Sequence, residues 1–123
     1  MFLFMRNFRN LQIWQKAHEL TLLIYQVTAL YPEHEKYGLI SQMRRASASI
    51  AINLAEGCGR ETPKDFAHFI QIAIGSCSEL EYELLLSKDL GYMSQESYYD
   101  LSSRTAELLR MMVSYNERIR ENN

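Results

Sequence analysis

The sequence predicts an all-α protein, a single domain folded as an antiparallel up-and-down four-helix bundle. Three observations carry this. Apolar residues recur in alternating steps of four and three along separate segments, the spacing of helices packed at a shallow angle. Glycine, proline or capping residues fall between those segments, with connections short enough to favour antiparallel neighbours. No stretch shows the period-two alternation of a strand. A length of 123 residues suits one core, divided here into an N-terminal arm at 1–10 and a bundle at 11–123.

In the arm, Phe2, Phe4 and Phe8 interleave with Arg6 and Arg9, and no acid precedes Glu19. It reads as a segment that packs on a neighbour or frays, ahead of a nucleic-acid contact. The first helix is expected from about Leu11 to Leu30, with Ile13, Ala17, Leu20, Ile24, Val27 and Tyr31 as its apolar seam. Pro32 ends it, because the residue before a proline is pushed out of the helical region. The polar linker YPEHEKYG follows.

The second helix, GLISQMRRASASIAINLAEGCGR from Gly38 to Arg60, sorts its residues by type around its circumference. Leu39, Met43, Ala46, Ile50 and Leu54 form the seam. Ser41, Arg44, Ala48, Ala51 and Ala55 make a line of mostly small side chains that lets another backbone approach. Gln42, Arg45, Ser49, Asn53 and Glu56 make a polar line. Asn53 stands at a seam step, where a buried polar residue fixes register at some cost in stability. Gly57 and Gly59 are expected to end the helix through positive φ.

Thr62-Pro63-Lys64-Asp65 starts the third helix with a hydroxyl cap, a first-turn proline and an acid. Its seam is Phe66, Ile70, Ala73, Cys77, Leu80 and Leu84; it runs to Leu90 and Gly91 closes it. Ser94 caps the fourth helix, with Leu101, Thr105, Leu108, Met112, Tyr115 and Ile119 as its seam.

The chemistry-bearing residues point away from catalysis. His18, His34 and His68 are far apart and form no metal-ligand spacing, so neither a metal nor a cofactor is expected. GCGR follows a helix, whereas phosphate-binding glycine loops follow a strand. Cys58 and Cys77 lack CxxC spacing and read as reduced; Cys58 beside Arg60 has no histidine to make it a nucleophile. In a hairpin turning near Arg60, Ser41 would lie level with Glu79 and Arg44 or Arg45 within reach, as a catalytic or ligand-binding cluster or, the favoured reading, as a structural ion pair of Arg45 with Glu79. With Gln42, Ser49, Asn53, Glu56 and Ser76, these two residues form a candidate structural polar network. A formal charge of −2 argues against a general nucleic-acid coat and against a polybasic membrane binder. No apolar run approaches the roughly 20 residues that span a bilayer, and no signal-peptide order is present, so the expected compartment is the cytoplasm. The small-residue line, with Gly75-Ser76, offers more sticky surface than one core needs, so homo-oligomerisation is expected.

The words LQIWQKAHELTLLIYQVT (Leu11 to Thr28), YPEHEKYG, GLISQMRRASASIAINLAEGCGR and KDFAHFIQIAIGSCSELEYELLLSKDLGYM (Lys64 to Met93), in that order, cover nearly the whole chain. Together they resemble the 23S rRNA-intervening sequence proteins, bacterial four-helix bundles encoded in insertions within rRNA genes and elsewhere. The resemblance implies a ring-like homopentamer, a link to RNA or ribosomal nucleoprotein, and no enzymatic activity. The accessory proteins of diversity-generating retroelements look similar in fold and bind nucleic acid and a reverse transcriptase through a strongly basic surface, from which this acidic chain departs.

The first expectation is therefore a non-enzymatic bundle that binds structured RNA or nucleoprotein. Arg6, Arg9, Lys16, Arg44, Arg45, Arg60 and Lys64 are its candidate contacts. The alternative is a protein-binding scaffold, such as an accessory protein of a reverse transcriptase.

Overall fold

The computed structural model describes residues 6–121. Four α-helices follow in order: α1 Gln12–Thr28, α2 Leu39–Cys58, α3 Pro63–Asp89 and α4 Gln95–Glu121. Single 3-10 turns at Phe8–Asn10 and Glu33–Glu35 precede α1 and α2. Among the described residues there is no strand. The helices pack as one all-α four-helix bundle; α2 and α3 meet most extensively, α1 and α4 least. Phe2 and Phe4 of the arm lie outside the described residues.

The predicted seams become the core. Ile13, Ala17, Leu20 and Ile24 meet Met43, Ile50 and Leu54, Phe66, Ile70, Leu80 and Leu84, and Leu101, Leu108 and Met112, all buried. This burial is the main favourable term for a bundle whose helices would be marginal alone. The seam of α1 departs from expectation at its end. The helix stops at Thr28, before Leu30, and Ala29 still holds helical angles, so Pro32 lies beyond the end it was expected to cause. Thr28 is fully buried where Val27 was expected; its hydroxyl donates to the Ile24 carbonyl at 2.7 Å.

The caps behave as their chemistry predicts. Thr62 Oγ1 accepts from the Asp65 N–H at 3.1 Å, and Ser94 Oγ from the Ser97 N–H at 3.0 Å. Gly91 has φ +80°, the left-handed conformation that closes α3. Gly57 and Gly59 do not share it. Gly59 sits at φ −86°, and Gly57 lies inside α2, where an added Cβ would come 2.7 Å from Phe66 Cδ1. Gly57 is there for close packing, and α2 runs on past it to Cys58.

The linker is tied down by one carboxylate. Glu35 Oε1 accepts from the Leu39 N–H at 3.1 Å, and Glu35 Oε2 from the Tyr92 hydroxyl at 2.9 Å. These bonds hold the Glu35 carboxyl below its ordinary range and push Tyr92 up. They join the start of α2 to the α3–α4 connection.

Candidate nucleic-acid interface

Antiparallel order puts the start of α1, the end of α2, the start of α3 and the end of α4 at one end of the bundle. That end gathers Arg6, Arg9, Arg60 and Lys64, four of the seven candidate basic residues, with Arg110, Arg118 and Arg120 of α4. The described part of the arm lies against it. The Arg6 N–H donates to the Cys58 carbonyl at 3.0 Å, and the Arg6 guanidinium stands 5.6 Å from the centre of the Phe66 ring. Arg9 lies over Phe8 at 4.5 Å and Arg60 over Phe69 at 5.2 Å. Arg60 also meets Glu56 at 3.7 Å. Lys64 and Arg120 flank a groove of about 340 Å³ floored by Pro63 and Ala67. Glu61, Asp65 and Glu117 share this end, so its cationic character is local. Glu33, Glu35, Asp89 and Glu96 lie at the opposite end.

The other three candidates are placed elsewhere. Lys16 is on the α1/α4 side, paired with Glu107 at 3.1 Å. Arg44 turns back to α1, where its Nε donates to Thr28 Oγ1 at 3.0 Å and its Nη2 to the Tyr25 carbonyl at 3.2 Å. Its guanidinium also stacks on the Tyr25 ring at 4.6 Å. Arg45 is in the first half of α2, distant along the helix from Arg60. The C-terminal arginines of α4 were absent from the candidates; their signal was basic residues in a last turn, brought beside the arm by the chain order.

The polar network forms in part. Ser49 and Ser76 hydroxyls meet at 2.9 Å across α2 and α3. Asn53 Nδ2 donates within its own helix, to Ser49 O at 2.8 Å and Ser49 Oγ at 3.0 Å, so it does not clamp a neighbour. Glu56 joins Arg60, and among the described residues the Gln42 side chain has no hydrogen-bond partner. The expected Arg45–Glu79 ion pair does not form. Glu79 is exposed, and the buried carboxylate is Glu83, one turn on and 3% exposed. The Ser49–Ser76 contact explains the shift. It sets Arg45 level with Leu80, between Glu79 and Glu83, because the α2–α3 connection is centred beyond Arg60. Burial first, and then the neighbouring Glu79 carboxyl, push Glu83 up to about 7, with Arg45 opposing.

Burial likewise raises the Cys58 thiol, against a smaller opposing effect of Arg6, and pushes Cys77 up to about 12. Both cysteines are free, and neither is poised as a thiolate. His18 stacks on Trp14, His34 meets the Tyr92 hydroxyl at 3.3 Å, and His68 meets Phe69 edge-on. Among the described residues no helix is long and apolar enough to cross a membrane.

Fold and surface together define a helical-bundle protein with basic residues concentrated at one end and a polar seam between its two central helices. The chain belongs to the 23S rRNA-intervening sequence protein family, whose family model matches residues 9–114. A protein of unknown function from the S23 ribosomal protein family of Bacteroides thetaiotaomicron, solved at 1.70 Å, has the same fold, with a TM-score of 0.76. The two chains share 23% identity over 85% of this chain and 97% of that one. No curated protein matches the chain.

Proposed function

We propose that this protein is a non-enzymatic bacterial bundle that self-assembles in the cytoplasm and binds structured RNA or nucleoprotein through its arginine-rich end. The carrying observation is the convergence of Arg6, Arg9, Arg60 and Lys64 with Arg110, Arg118 and Arg120. Guanidinium groups suit phosphate recognition, and the adjoining rings of Phe8, Phe69 and Tyr115 hold their planes in place. The family name itself refers to intervening sequences of 23S rRNA.

Self-assembly is supported by the outer face of α2 and α3. Ile52 is 63% exposed and Tyr82 61%, beside the small residues Ala48, Ala55 and Gly75. An added Cβ at Gly75 meets nothing within 4 Å, so a second backbone has room to approach. The resemblance drawn from the sequence supports a pentamer. The same exposed face favours the second reading, a scaffold for a protein partner such as a reverse transcriptase.

The test is fluorescence anisotropy with labelled structured RNA and duplex DNA at several salt concentrations, with sedimentation velocity on the same preparation. Salt-sensitive binding by an oligomer supports the proposal. An oligomer with no binding at low salt leaves the scaffold reading, and a monomer removes self-assembly.

A further inference from the structure

α1 and α4 meet over less of their length than the other neighbouring helices, and a cavity opens between them at the arginine-rich end. Its volume is about 450 Å³, within the roughly 300–1,000 Å³ range of small-ligand sites. The floor is apolar, made by Leu11 and Ile13 from α1 and its cap and by Met111 and Tyr115 from α4. Arg110 and Arg118 rise from α4 on the rim, two turns or about 12 Å apart along the helix. Among the described residues no acidic side chain lines it. Arg118 is held in place, lying 5.5 Å from the Tyr115 ring centre and 3.4 Å from Ser114 Oγ.

An apolar floor beneath two cations, of which Arg118 is held in place, calls for a ligand with a flat apolar body and anionic groups beside it. An unpaired nucleotide has that chemistry: its base stacks on aromatic and apolar side chains, and its flanking phosphates meet arginines. A paired base cannot enter such a cavity, because it is held in its stack. Two residues past Arg118, Arg120 joins Lys64 at the neighbouring groove, so cationic groups continue beyond the cavity as a strand's backbone would require.

We infer that the cavity between the start of α1 and the end of α4 receives an unpaired base of single-stranded RNA, with Arg110 and Arg118 on its flanking phosphates. This rests on the nucleic-acid reading above and adds to it a preference for unpaired strand.

The test compares a labelled single-stranded oligoribonucleotide with an RNA duplex of equal length, at low salt, by anisotropy. Two variants separate cavity from surface charge. Met111→Trp fills the floor, and Ser114→Glu, at an exposed position, sets a carboxylate between the arginines. The wild type is expected to favour the single strand, and each variant to weaken single-strand binding about tenfold, the scale of one lost base stack, while duplex binding changes little. Equal binding of strand and duplex by the wild type, or an unchanged strand preference in both variants, overturns the inference and leaves the broader reading standing. No binding to either probe overturns both.

Discussion

Glu83 lies one helical turn from Glu79 on α3, buried where Glu79 is exposed, and the neighbouring Glu79 carboxyl adds to burial in raising the Glu83 pKa. Glu83 Oε1 is buried without a hydrogen-bond partner among the described residues. A buried carboxyl beside another is most stable holding its proton.

Stability should therefore fall as pH rises through the range set by Glu83. Below about 4.5 the folded and unfolded chains both hold the proton; between about 4.5 and about 7 only the folded chain does. The unfolded state then binds fewer protons, so raising the pH destabilises the fold, by on the order of 3 kcal/mol once pH exceeds 7. Glu83→Gln keeps a donor toward Glu79 and carries no charge. Urea unfolding of this variant across that range should lose most of the slope and show greater stability than wild type at pH 8. A variant less stable than wild type at pH 8 would mean that Glu83 is a paired, ionised group.

Gly57 and Gly75 make a matched pair of helical glycines. At Gly57 a methyl would meet the buried Phe66 ring at 2.7 Å and Phe69 Cβ at 3.1 Å. Gly57→Ala should cost about 2 kcal/mol of stability, even after the roughly 1 kcal/mol that alanine gains in a helix. Gly75→Ala, into open space, should be neutral or stabilising for the single chain. Chemical denaturation distinguishes them, and equal responses would remove the packing explanation.

Arg44 joins two helices and is assigned no RNA contact. Arg44→Ala removes the bonds to Thr28 Oγ1 and the Tyr25 carbonyl. It should cost about 1–2 kcal/mol of stability and leave RNA affinity unchanged. An RNA affinity loss in a variant of normal stability would return Arg44 to the interface.

How far the sequence reached depended on how local each signal was. Apolar seams are set by spacing alone, so Ile13, Met43, Phe66 and Leu108 were legible, as were the caps at Thr62 and Ser94. Gly57 was misread because a packing glycine near a helix end looks the same as a terminating one; Phe66, across the hairpin, decides between them. Glu79 and Glu83 share one helical line, and only the offset of α3 along α2 decides which is buried. The basic end was half legible. Arg6, Arg60 and Lys64 carry visible charge in the sequence, but Arg118 and Arg120 join them only through the chain order of the bundle.

The most direct test of RNA binding at the basic end is the salt dependence of affinity for wild type and for Arg60→Ala/Lys64→Ala. Each phosphate neutralised contributes roughly −0.9 to the slope of log affinity against log salt for a duplex and about −0.7 for a single strand. The account predicts a steep wild-type slope that flattens by about 1.5 in the double variant, with the fold unchanged. An unchanged slope would place the contact elsewhere on the bundle, and no wild-type binding at low salt would contradict the account.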